Sequence, residues 1–223
     1  MNSIAPPADR VLEALLDQYA PYGPAPLCPE ISVFQGRSLI AVWEAAEDVA
    51  GANLPAPFWA YPWAGGSALA RVVLDQPDLV REQVVLELGA GGGVVSLAAA
   101  RAGAASVVAN DIDPWATATV RIAAARQHLT VTTLLTDLTE NPAAADACDV
   151  LVCSDMSYER RMAPKYRTLL QRAKNRRARV LVADAGRTYF DTQGLTLLHE
   201  CELDVPLDLE GVSRRVARVY ELR

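Results

Sequence analysis

Five carboxylates and a run of glycines stand where a chain could hold a nucleoside-bearing ligand. Glu87-x-Gly89-x-Gly91-x-Gly93 follows the apolar run VVLEL and leads into a helical stretch. Glycines at the end of a strand let a ligand approach the backbone, and the next helix offers unpaired N–H groups. The dinucleotide fingerprint GxGxxG fails here, because counting from Gly89 the third glycine falls on Val94, and counting from Gly91 on Ser96. Asp111 closes the next apolar run, NDID, 22 residues after Gly89, where a carboxylate can accept both hydroxyls of a ribose. Asp113, followed by Pro114, suits a helix cap instead. In LLTDLTE, Asp137 is placed to accept from an adenine amino group beside Leu138, with a turn or helix cap as the alternative. After DVLVCS comes Asp155-Met156-Ser157-Tyr158, a carboxylate and a phenol at the end of the fourth expected strand. A turn that merely joins strand to helix is the alternative reading of the glycines, and the downstream acids argue against it.

The elements that must position these groups alternate from Val84 onward. Strands are expected near 84–88, 106–110, 131–135, 149–154 and 179–184, with helices near 94–102, 114–128 and 161–174. This is the pattern of a doubly wound, mostly parallel α/β sheet, Rossmann-like, and residues 195–222 read as an antiparallel pair completing seven strands. Before it, Leu12, Leu15, Leu16 and Tyr19 predict a helix ended by the proline-rich stretch 21–29, and ISVFQG and SLIAVWEA read as short strands. Residues 1–80 are therefore expected to form an extension packed on a core of 81–223. Trp43 reads as core, and Trp59, Tyr61 and Trp63 are compatible with either core or a site wall. RAKNRRARV reads as a solvated helix end.

Composition narrows the classes. The 223 residues are 51% hydrophobic with a net charge of -6, which disfavours a nucleic-acid backbone as partner and suits a basic protein surface. The four cysteines form no CxxC pair and there are two histidines, so no metal site or disulfide framework is expected and a reducing cytoplasm is. The opening MNSIAPPADR shows no targeting pattern, and no apolar run is long enough to suggest a membrane span.

The ExGxGxG loop resembles the first motif of class I S-adenosylmethionine-dependent methyltransferases, whose ligand has an amino-acid arm and no pyrophosphate. More widely, PFWAYPWAGGSALARVVLD, NDIDP, SDMSYE and VLVADAGR closely resemble the electron-transfer-flavoprotein beta-subunit lysine methyltransferases over about residues 55–190, with Ser157 and Glu159 departing from that pattern. The resemblance implies S-adenosylmethionine held by Trp63, Glu87, Gly89, Gly91, Gly93, Asp111 and Asp137. It implies a lysine of the electron transfer flavoprotein beta subunit held by Asp155 beside Tyr158, and Asp184 paired with Arg187 over the acceptor. A ribosomal-protein lysine or a small amine is the alternative acceptor. A nicotinamide-dependent oxidoreductase, disfavoured by Val94, and a non-catalytic nucleotide-binding module are the readings from other classes.

Overall fold

The structure, a computed structural model, describes residues 4–223; the first three residues of the terminus read above as free of a targeting pattern lie outside them. Helix α1 (Asp9–Tyr19) and a hairpin of β1 (Tyr22–Ala25) and β2 (Cys28–Phe34) open the chain. The stretch expected to continue as a strand is instead helix α2 (Leu39–Ala50). Its valine, isoleucine and tryptophan suggest a strand by type, but Ser38 caps the helix, accepting from Ala41 N, and Gly51 ends it in the left-handed region. Val42 and Ala46, four apart, are its buried residues. Trp43 is half-buried, its Nε1 donating to Leu54 O at 2.9 Å. A single 3-10 turn, Phe58–Ala60, leads into α3 (Ala64–Asp75).

Then come β3 (Val84–Leu88), α4 (Val94–Arg101), β4 (Ser106–Asp111), α5 (Pro114–Arg126), β5 (Thr132–Leu135), β6 (Val150–Ser154), α6 (Ala163–Asn175) and β7 (Arg179–Asp184), close to the expected boundaries. β8 (Leu195–Asp204), the short α7 (Leu207–Glu210) and β9 (Arg214–Leu222) finish the chain. The seven-stranded sheet runs β5-β4-β3-β6-β7-β9-β8, with the first five strands parallel and β9 antiparallel to both β7 and β8. β9 thus lies between β7 and β8.

Parallel strands need both faces covered, so their residues read as nearly continuous apolar runs. On one face α3, α4 and α5 bury Leu69, Leu97 and Ile122 in a core that also takes Leu12 and Leu16 of α1 and Phe34 of β2. On the other, Leu169, Leu170 and Ala173 of α6 meet Leu151, Val180 and Leu222. Strand order reverses between β3 and β6, each leading to a helix on a different face. A crevice opens at the carboxyl ends of strands at such a reversal. RAKNRRARV does end a helix at the surface, with Arg172 and Arg176 on Asp146 and Arg179 on Glu221. No described helix is long and apolar enough to cross a membrane.

Candidate active site

The glycine loop leaves β3 at this crevice. Gly89, Gly91 and Gly93 all have positive φ, at 67°, 51° and 80°. At Gly89 the requirement is twofold, because a Cβ there would fall 2.2 Å from Met156 Sδ. At Gly92 it is close approach alone: a Cβ would lie 2.7 Å from Trp59 O. The loop is thereby pressed between the Phe58–Ala60 turn of the amino-terminal segment and the residue after Asp155. A narrow cleft beside it is lined by Phe34, Tyr61, Trp63, Gly66, Glu87 and Ser154, among others.

Three acids fix this rim. Glu87 is buried, its Oε2 accepting from Ser96 N at 2.8 Å and from Ser96 Oγ; it ties the end of β3 to α4. Asp111 Oδ2 accepts from Gly91 N at 2.9 Å and Oδ1 from Asp113 N at 3.0 Å. One carboxylate therefore braces the loop from the neighbouring strand, while each oxygen keeps a second lone pair for a ligand. Asp113 caps α5 through Trp115 N, with Pro114 in the first turn. Asp137 spends Oδ1 on Thr139 N and Oγ1, closing a turn after β5. Asn110 donates to Leu134 O and Thr136 O and so aligns the ends of β4 and β5.

Burial pushes the Glu87 carboxyl up to about 8, against the two Ser96 hydrogen bonds that favour its charge. The folded chain then holds a proton that the unfolded chain releases near 4.5. The resulting stability is full below about pH 4.5 and is lost as pH rises to about 8. Glu87→Gln, which cannot ionise, is expected to keep the wild-type Tm at pH 7 or exceed it, and to remove Glu87's contribution to this fall in Tm. Thermal melts between pH 5 and 9 decide, and a Tm well below wild type at pH 7 would mean that the carboxylate is charged in the fold.

Asp155, the residue after the cleft-lining Ser154, is 7% exposed and adopts φ 52°. Three donors hold it: Gly65 N at 2.7 Å on Oδ2, and Ala185 N at 3.1 Å and Arg187 Nε at 2.9 Å on Oδ1. A Cβ at Gly65 would strike the carboxylate at 2.5 Å. Gly65 and Gly66 also let α3 settle on Asp155 and on Val94. Burial raises the Asp155 pKa, while Arg187 and the two amides oppose the rise.

The expected Asp184–Arg187 side-chain pair is not what forms. Asp184 Oδ1 accepts from the backbone N–H groups of Gly186 and Arg187, shaping the turn after β7. The Arg187 guanidinium points to Asp155 and to Glu210, with its Cζ 5.1 Å from the centre of the Trp63 ring. That turn leaves the arginine no path back to its own turn's acid.

Trp63 donates Nε1 to Phe58 O at 2.9 Å and meets the rings of Phe58 and Tyr61 edge-on. Trp59 is buried and stacks on Trp115, so of the three alternating aromatics it belongs to the core. Tyr158 is 46% exposed at the mouth, its ring 5.8 Å from that of Phe58. The structure therefore brings Trp63, Glu87, Gly89, Gly91, Gly93, Asp111, Asp155 and Tyr158 to the carboxyl edge of β3, β4 and β6, with Asp137 beyond β5. Sequence reasoning missed Ser96, Met156 and Phe58. Phe58 and Met156 lay within the quoted PFWAYPW and SDMSYE stretches, while Ser96 carried no signal.

A family model described as a methyltransferase domain matches residues 85–178. The chain is 38% identical over 160 residues to the electron transfer flavoprotein beta subunit lysine methyltransferase of Homo sapiens, covering 71% of this chain and 60% of that one. To the Danio rerio protein of the same name it is 34% identical over 170 residues, covering 76% and 65%. It thus spans about two thirds or less of the length of these relatives. Among solved structures, magnesium protoporphyrin IX methyltransferase from Synechocystis PCC 6803 with bound SAH superposes with a TM-score of 0.50 at 15% identity, covering 70% of this chain and 80% of that one. The shared architecture is the class I methyltransferase fold.

Proposed function

We propose, from a chain that is a class I methyltransferase-fold relative of the electron transfer flavoprotein beta subunit lysine methyltransferases, that it methylates lysine side chains of that flavoprotein subunit using S-adenosylmethionine. The observation that carries this reading is the position of Asp155: a buried carboxylate held by three donors at the strand-order reversal, with Met156 lying on the glycine loop. S-adenosylmethionine supplies an electrophilic sulfonium methyl when bound. Its fit is supported by a loop whose Gly89, Gly91 and Gly93 have positive φ and bare backbone at the end of β3, by acids with free lone pairs, and by the lack of a third dinucleotide glycine at Val94. Glu87 would face its ammonium, Asp111 its ribose and Asp137 its adenine, with the backbone at Gly89, Gly91 and Gly93 along the amino-acid arm and Trp63 as an apolar wall.

The residues of the acceptor side must orient a neutral amine. A lysine near its ordinary pKa of ~10.4 needs about 4.6 kcal/mol to present that form at pH 7. A carboxylate raises an amine's pKa, so Asp155 serves orientation rather than deprotonation, accepting one N–H while the lone pair faces the methyl donor. The phenol of Tyr158, half exposed at the mouth, is placed to pass the proton to water. The extension, residues 1–80, works with the 81–223 core because Phe58 to Trp63 forms one wall of the cleft. Four free thiols and the negative net charge support a cytoplasmic enzyme whose partner is a protein, with neither nucleic acid nor membrane.

The test is incubation of the full chain with S-adenosylmethionine and recombinant electron transfer flavoprotein, read by intact mass and fragment spectra. Methyl increments on beta-subunit lysines are expected. An unmodified beta subunit, with label instead on a ribosomal protein or a small amine in a cell extract, would overturn the substrate assignment.

A further inference from the structure

A buried chain of charges reaches Asp155 from the far end of the sequence. Glu210, on α7 between β8 and β9, has a fully buried side chain. Its Oε2 accepts from Arg187 Nη1 at 3.2 Å and from Arg215 Nε at 3.2 Å. Arg215, on β9, also donates through Nη2 to Glu210 O at 2.7 Å and through Nη1 to Ala185 O at 3.4 Å. The Arg187 guanidinium is therefore divided, with Nε on Asp155 and Nη1 on Glu210. A guanidinium and a carboxylate left to themselves form a two-bond fork. Here Asp155 receives one arginine bond only, from Nε, while Nη1 on the other edge of the guanidinium is held by Glu210.

We propose that Glu210, anchored by Arg215, is a positioning residue: by holding Arg187 through Nη1 it fixes the guanidinium so that Asp155 takes only the Nε bond and keeps an open lone pair on Oδ2 for an incoming amine. This rests on the reading of Asp155 as the amine-holding group. Two further features fit. Glu210 Oε1 is buried without a partner, so the carboxylate is kept in place by its arginines despite an unsatisfied oxygen, a cost a purely structural link would not need. The groups acting on Asp155 are few. They are Asp184 at the end of β7, Arg187 and the Ala185 amide in the turn after it, Glu210 of α7 with Arg215 behind it, and Cys153 of β6, while α3 contributes only the Gly65 amide. Tyr61 feels both Glu210 and Arg187 from the cleft side.

Two variants of opposite sign test this in the full chain. In Glu210→Gln, Arg187 is released to Asp155, whose titration moves to lower pH. In Arg215→Gln, Glu210 takes more of Arg187, and the Asp155 titration moves to higher pH. Carbon-13 carboxyl NMR of aspartate-labelled protein reads both shifts without any acceptor. Methyl transfer to the flavoprotein beta subunit should fall about tenfold or more in Glu210→Gln at pH 7, its acid limb displaced downward, with S-adenosylmethionine affinity unchanged. An Asp155 titration that is unmoved, or moves the same way in both variants, overturns the proposal, as does full activity in Glu210→Gln. A wild-type chain that methylates no beta subunit would refute the functional reading, while the NMR titrations would still decide whether Glu210 governs Asp155.

Discussion

Asp155→Ala is expected to abolish methyl transfer and to lower the stability of the chain, while Asp155→Asn loses turnover with far less damage to the fold. Alanine removes the acceptor for Gly65 N, Ala185 N and Arg187 Nε together. It breaks the Arg187–Asp155 ion pair, leaving Glu210 as the arginine's partner, and each buried amide left without an acceptor costs about 1–3 kcal/mol. It also leaves a side chain without local hydrogen bonds at φ 52°, where aspartate and asparagine are better tolerated. Asparagine keeps the shape and an oxygen for the amides but not the charge that draws an ammonium. Its kcat with the beta subunit should fall at least about a hundredfold, with the Kd for S-adenosylmethionine within a few-fold of wild type. Parallel calorimetry, thermal melts and single-turnover assays separate the two variants. Near-normal turnover in Asp155→Asn would show that the charge is not used.

Gly89→Arg should act on the glycine loop and remove cofactor binding itself. Its φ of 67° is a left-handed conformation that costs an ordinary residue roughly 1–2 kcal/mol. Met156 occupies the place a Cβ would take, and the arginine beyond it would fill the space over the loop. Affinity for S-adenosylmethionine is expected to fall by more than about a hundredfold, or about 2.8 kcal/mol, and turnover with it. Gly51→Ala is the control. It has a similar φ of 63° but nothing within 4 Å of the added carbon, so it should cost stability alone. Equal losses of affinity in both variants would mean that general destabilisation, not the cradle, is being measured.

The contrast between these variants and the charge chain marks how much the sequence discloses. The glycine loop, Asp111, Asp113 and the alternation of β3 through β7 are local features. Each follows from a turn, a cap or a period visible within ten or so residues, and their boundaries came close. SLIAVWEA misled because β-branched and aromatic types outweighed the Ser38 cap and the four-residue spacing of Val42 and Ala46. The partner of Arg187 was beyond reach for a different reason. Glu210 and Arg215 come to it only because β9 pairs antiparallel with β7, a contact between distant stretches that no local pattern announces. The bracing of the loop by Asp111 through Gly91 N likewise depended on seeing which amide lay opposite.

The insertion of β9 between β7 and β8 has a consequence for synthesis. As the chain leaves the ribosome, β8 emerges before β9, its one strand neighbour among the described residues, and must wait for it, a bare ribbon that could stick to other nascent chains. Glu200, Glu202 and Asp204 along that ribbon place repelling charge on it during the delay, and once β9 arrives Arg214 pairs with Glu202 and Asp204 and Arg218 with Glu200.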